Sequence, residues 1–160
     1  MHYQEGNPAE LREKFWKELA GSPFVMLQLD NDQDSAAPMT AQLDQDANHE
    51  LWFFTRRDGH FAKLGPATAT FAAKGHNLFA RFHGVLTEEP SRARRAEHWS
   101  NIVEAWFPGG EDDSDLLMLR MELGDASIWD SDLGLVGTAK MFLGLDARED
   151  AERNQVETVL

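Results

Sequence analysis

The sequence predicts a small, mainly β protein of the α+β class, a barrel of about seven strands with peripheral helices. Three observations carry that expectation. Short extended runs follow one another, broken by Gly, Pro, Asn and Asp. Helical spacing of apolar residues is confined to an N-terminal stretch, a middle segment and a stretch near the C terminus. The chain has 160 residues, 42% hydrophobic and 27% charged, which suits one domain with a core that needs no covalent staples. Residues 1–160 therefore read as a single domain, with 1–9 and 147–160 the less ordered ends.

The elements follow in order. Asn7-Pro8 opens a helix, since Asn caps well and Pro fits the first helical position. Leu11, Phe15 and Leu19 form its apolar stripe beside Trp16, and Gly21 ends it. Extended runs are expected at Phe24–Asp30, Met39–Asp44, Glu50–Thr55, Ala67–Lys74, Leu78–Thr87, Leu116–Leu123 and Ala126–Asp130. Trp52, Phe53 and Phe54 in succession imply a strand covered on both faces. Lys74-Gly75-His76-Asn77 and Gly124-Asp125 read as hairpin turns. Glu89-Pro90 opens a second helix, with Ala96, Trp99, Val103 and Trp106 or Phe107 near helical spacing, stopped before Pro108-Gly109-Gly110. A last helical stretch is expected through Leu133–Leu143. A polar tail, Asp146–Arg153, then leads to a short apolar close at Val156–Leu160.

Composition excludes several classes of function. The absence of cysteine rules out disulfides, thiolate catalysis, iron–sulfur clusters and Cys-containing zinc sites, and it fits a reducing, cytoplasmic setting. No apolar run approaches the roughly 18 residues of a membrane span, and the N-terminal residues do not read as a signal peptide. A net charge of −13 argues against nucleic-acid binding. The charge is uneven, however. Between Phe54 and Arg95 stand Arg56, Arg57, Lys63, Lys74, Arg81, Arg92, Arg94 and Arg95 against Asp58, Glu88 and Glu89. This basic island is a candidate anion site. Arg92, Arg94 and Arg95 read first as the solvated face of a helix.

No catalytic motif in the chain is complete. Asp30-x-Asp32-x-Asp34 begins like a calcium loop but has Ser35 and Ala41 where Gly and Glu are needed, so it reads as turn chemistry. His49-Glu50 lacks the second His of a zincin, and the six His residues show no ligand spacing. Glu111-Asp112-Asp113-Ser114-Asp115 reads as a solvated loop. No Walker loop, GxGxxG or GxSxG occurs. One segment carries a positive hypothesis. In Leu51-Trp52-Phe53-Phe54-Thr55-Arg56-Arg57-Asp58 an aromatic strand ends in a hydroxyl and two guanidinium groups. The strand could lie along a flat ring, with Thr and Arg on a phosphate. On composition alone the aromatics read first as core.

The order of further pieces resembles the pyridoxamine-phosphate-oxidase-like split-barrel superfamily, in particular its bacterial general stress protein branch. The pieces are Phe15-Trp16, Pro38-Met39-Thr40-Ala41-Gln42, Leu51-Trp52-Phe53-Phe54-Thr55, Lys74-Gly75-His76-Asn77-Leu78-Phe79-Ala80, His83-Gly84, Trp106-Phe107-Pro108-Gly109-Gly110-Glu111-Asp112-Asp113, Ile128-Trp129-Asp130 and Lys140-Met141-Phe142-Leu143-Gly144. They span residues 10–146. The resemblance implies a six- to seven-stranded split β-barrel with peripheral helices, forming a homodimer with FMN in the interface cleft. It places the flavin against Pro38, Met39, Thr40, Ala41 and Gln42 and against Phe53, Phe54 and Thr55. Trp106 or Trp129 is the candidate for the Trp that a partner subunit commonly adds.

The chain also departs from the superfamily's pattern. A basic residue often precedes the Pro-Met position, where this chain has Ala37, and Ser then a basic residue often follow the Thr, where Gly59, His60 and Phe61 stand. Each lost charge-assisted phosphate contact ordinarily costs about 1.5–3 kcal/mol. Arg56, Arg57, His60, Lys63 and Lys74 are the candidate replacements. His60 and His76 are also candidate proton relays or plain surface residues. The oxidase's C-terminal Arg-x-His is missing, so a true pyridoxamine-phosphate oxidase is not expected. A flavin-dependent oxidoreductase and a non-catalytic binder of another phosphorylated or aromatic ligand both remain open.

Overall fold

The computed structural model describes residues 7–131, 143–144 and 155–160. Helix α1 (Pro8–Gly21) begins where the Asn7 side chain accepts hydrogen bonds from the Ala9 and Glu10 N–H groups, at 3.1 and 3.4 Å. Its stripe of Leu11, Phe15 and Leu19 is buried. Phe15 meets Phe71 and Phe82 edge to face, with ring centroids 6.0 and 5.4 Å apart, and so anchors the helix to the barrel core.

Among the described residues seven strands form one antiparallel sheet. They are β1 (Phe24–Leu29), β2 (Asp32–Thr40), β3 (Glu50–Arg56), β4 (Gly65–Ala72), β5 (Leu78–Glu88), β6 (Leu116–Asp130) and β7 (Gln155–Val159). The order is β2-β1-β4-β5-β6-β3, with β7 added to β6. Period-two alternation turns Leu78, Ala80 and Phe82 of β5 inward, against Leu27, Leu51, Phe53, Leu119 and Ile128. This is the expected mainly β, split-barrel fold with peripheral helices.

Several boundaries differ from expectation, each for a local reason. The strand expected at Met39–Asp44 overlaps β2 only at Met39 and Thr40: β2 starts at Asp32, after a tight turn at Asp30 and Asn31, and ends at Thr40, beyond which Gln42 makes a single bridge. Ser35 stabilises the turn by accepting from the Leu29 N–H at 2.8 Å and donating to the Asp32 carbonyl at 2.5 Å. Gly124-Asp125 is not a hairpin. The two residues oppose His83 alone, where the β5–β6 register shifts between Phe82/Ala126 and Gly84/Leu123, so they form a β-bulge and β6 runs on through both expected strands. Gly84 permits this close approach, since a Cβ there would run into the Glu122 carbonyl. The single middle helix is two, α2 (Arg92–His98) and α3 (Asn101–Trp106). Trp99 and Ser100 are extended between them, and the Ser100 side chain caps α3 by accepting from the Val103 N–H at 3.3 Å.

Lys74–Asn77 does connect β4 to β5, with His76 rather than Gly75 in the left-handed region at φ 54°. The apolar close is strand β7, paired with Asp125–Trp129. The helix expected at Leu133–Leu143 lies almost wholly outside the described residues. Among the described residues, no helix is long and apolar enough to cross a membrane.

Candidate functional site

Strand β3 is covered on both faces. Leu51 and Phe53 point into the barrel core. Trp52 and Phe54 point the other way: Trp52 stacks on His98 at 5.2 Å, and Phe54 meets Trp99 at 5.7 Å. Its two edges differ as well. One is laddered to β6 from Glu50 to Arg56. The other meets the end of β2 at one bridge, where the Gln42 N–H donates to the Trp52 carbonyl at 2.7 Å and the Trp52 N–H donates back at 3.1 Å.

The next hydrogen-bonded pair in that register would be Thr40 and Phe54, and it does not form. Bonding to β1 alternates along β2. The Ala41 N–H donates to the Pro23 carbonyl at 2.7 Å, so the backbone groups of Thr40 turn the opposite way, into the gap. Pro38, which lacks an N–H, is tolerated on this free edge. At the far end the gap is clasped again. Asp32, first residue of β2, lies 2.8 Å from Lys63 Nζ and 2.9 Å from His60 Nδ1, both in the short 3₁₀ turn after β3 (His60–Lys63). Hydrogen bonds from Lys63 and His60 pull the Asp32 pKa down to about 2.

Between bridge and clasp opens a cavity of about 590 Å³, within the ~300–1,000 Å³ usual for small-molecule sites. Pro38, Met39, Thr40 and Gln42 line it from β2, Phe54, Thr55 and Arg56 from β3, and Ser100, Ile102, Val103, Trp106 and Phe107 from around α3. The walls are mainly apolar. The side chains of Thr40, Gln42 and Thr55 make no hydrogen bond within the described chain. Ile102 and Trp106 stand at the rim, 76% and 77% exposed.

Eight of the residues singled out from sequence thus meet at one cavity: Pro38, Met39, Thr40, Gln42, Phe54, Thr55, Arg56 and Trp106. The others lie elsewhere. Ala41 and Phe53 are in the barrel core. Arg57 Nη2 pairs with Glu88 at 2.7 Å. His60 and Lys63 form the clasp, Lys74 sits in the β4–β5 turn, and Trp129 on β6 lies under the Arg81 guanidinium at 5.8 Å. Sequence reasoning missed Ser100, Ile102, Val103 and Phe107 as wall residues. The helical spacing of Val103 and Phe107 reads as core, and the break at Ser100 that turns α3 over the cavity has only a serine to announce it.

The basic island is largely neutralised. Arg56 pairs with Asp58 at 3.1 Å and Asp115 at 3.6 Å, and Arg92 with Asp112 at 3.5 Å. Arg94 binds Asp44 at 2.8 Å and Glu97 at 3.2 Å while lying 4.7 Å over the Trp52 ring. Asp44, Glu97 and His98 offer ligand atoms within 4.8 Å of one another, but Arg94 already supplies the positive charge among them.

The chain matches the pyridoxamine 5'-phosphate oxidase-like family over residues 10–146. It is 39% identical to a general stress FMN/FAD binding protein of Xanthomonas citri, covering 79% of this chain and 93% of that one, with a TM-score of 0.72. A general stress family protein of Xanthomonas campestris is likewise 39% identical, over 78% and 90% of the two chains, at a TM-score of 0.71. General stress protein 26 of a Jannaschia species is 27% identical over 96% of this chain and all of its own, at 0.78. No curated protein matches the chain.

Proposed function

Since the chain belongs to the pyridoxamine 5'-phosphate oxidase-like family, we propose that the gap between β2 and β3 binds a flavin, FMN in the first instance. The observation that carries this reading is the separation of the two strands one step beyond the Gln42–Trp52 bridge. It leaves Thr40, Gln42 and Thr55 as unpartnered polar groups around an apolar slot. A flat heteroaromatic ring with hydrogen-bonding edges suits such a slot: Met39, Phe54 and Val103 would cover its faces, and the Thr40 backbone with Gln42 and Thr55 would meet its rim. The Xanthomonas citri relative, an FMN/FAD binding protein, supports the same ligand class.

A bound flavin supplies electron and hydride transfer, and the protein supplies orientation and exclusion of water. That division suits this cavity, because no carboxylate or imidazole lines it among the described residues. The reading is therefore a flavin-dependent oxidoreductase associated with stress, its substrate open. The same missing acid–base group favours one alternative, a flavin or aromatic-ligand binder without turnover. We further propose a homodimer, supported by the exposed Ile102 and Trp106 at the cavity rim, which a second subunit would cover. The cysteine-free composition suits the cytoplasm.

The test is the visible spectrum of the freshly purified protein, then titration with FMN followed by flavin fluorescence, with mass by light scattering. A flavin band, or saturable quenching at one site per subunit of a dimer, is the expected result. A colourless protein that leaves FMN fluorescence unchanged overturns the flavin reading.

A further inference from the structure

The cavity matches the ring of a flavin better than its phosphate. Among the described residues Arg56 is the only cation in the lining. It is already engaged: its Nε donates to Asp58 at 3.1 Å, and its Nη2 lies 3.6 Å from Asp115. Asp58, Asp115 and, at longer range, Asp113 all hold the guanidinium charged. One positive charge among three carboxylates leaves that end of the cavity net negative. The other cations near the gap are committed too, Lys63 and His60 to Asp32, and Arg57 to Glu88.

A phosphate dianion entering beside Arg56 would meet this field. It could displace the exposed Asp58 contact, since such pairs are weak, but the displaced carboxylates would remain within a Debye length and repel it. The hydrogen-bonding groups of Thr40, Gln42 and Thr55 carry no charge and are indifferent to what the flavin tail bears.

Resting on the flavin reading above, we infer that this site recognises the uncharged isoalloxazine ring and gains little from a terminal phosphate, so that riboflavin binds about as tightly as FMN. Asp58 and Asp115 are the residues that set this selectivity, by occupying Arg56.

The experiment titrates the purified full-length protein with riboflavin and with FMN, following flavin fluorescence, at low salt and again in 0.5 M sodium chloride, an ionic strength of about 0.5 M at which the Debye length is about 4 Å. The expected result is two dissociation constants within about threefold of each other, with FMN binding unchanged or tighter in salt, because screening removes repulsion. The Asp58→Asn, Asp115→Asn double variant is expected to tighten FMN and leave riboflavin unmoved. One productive charge-assisted phosphate contact ordinarily gives roughly tenfold or more. FMN at least tenfold tighter than riboflavin in the wild type, weakened by salt, therefore overturns the inference while upholding the flavin site. Such a preference surviving Arg56→Ala would place the phosphate on another group and overturn it equally. If neither flavin binds, the flavin reading itself fails and takes this inference with it.

Discussion

On one side of the barrel β1, β4, β5 and β6 are joined by long antiparallel ladders, broken only by the bulge at Gly124-Asp125. On the other, β2 and β3 share one bridge at Gln42–Trp52 and a salt-bridged clasp at Asp32. Leu, Phe and Thr occur on both sides, so these residue types alone do not mark the split. What differs is where pairing stops. The closed side spends its backbone donors and acceptors on neighbouring strands, and the split side keeps Thr40 and Phe54 in register but apart. Stability should therefore concentrate in the ladders and ligand recognition in the gap.

Adjacent residues of β3 give the sharpest way to break that contrast. Phe53 is fully buried in the barrel, whereas Phe54 is half-buried and lines the cavity. Phe53→Ala is expected to cost about 3–5 kcal/mol in urea unfolding. Phe54→Ala should cost clearly less and weaken flavin binding more. Equal losses of stability from the two would erase the distinction between the faces.

Next in size is Gly84→Ala, on the closed side. The added methyl would collide with the Glu122 carbonyl and lie 3.0 Å from carbons of Met121. The expected cost is about 1–3 kcal/mol, read by thermal melting, with little change at the distant gap. On the split side Thr55→Val keeps the shape and removes one hydroxyl. Stability should stay within about 0.5 kcal/mol. Flavin affinity should fall by roughly two- to tenfold, one net hydrogen bond, and an unchanged affinity would remove Thr55 from the ring's rim.

The closed side was largely legible in the sequence, because alternation and turn residues report a strand directly. The Leu11, Phe15, Leu19 stripe and the Lys74–Asn77 turn came through, and so did the two covered faces of β3 at the border of the split side. The bulge at Gly124-Asp125 was misread as a hairpin, since the same residues serve both and only the partner strand decides. The split side was half legible. Pro38–Gln42 and Phe54–Arg56 were placed together by resemblance, not by any pattern that shows two strands parting. The charges were least legible. A count of Arg and Lys shows an island, but whether it is free depends on Asp32, Asp44, Asp58 and Asp115, most of them distant in sequence and brought close by the fold.

The smallest predicted effect tests the clasp at the far end of the gap. Asp32 has its pKa lowered from 3.8 to about 2, by hydrogen bonds from Lys63 first and His60 second. The unfolded chain therefore takes up a proton at Asp32 at a pH where the folded chain does not. The stabilisation is fully present above about pH 4 and is lost as the pH falls toward 2. Melting temperature should decline through that window, and Asp32→Asn should shrink the decline while lowering stability at neutral pH only slightly, since the partners are exposed. If the clasp also holds the two strands at their working separation, Asp32→Asn will alter flavin affinity at pH 7, where Asp32 titration plays no part. A variant that loses the acid dependence yet binds flavin as the wild type does would show that the Gln42–Trp52 bridge alone sets the width of the gap.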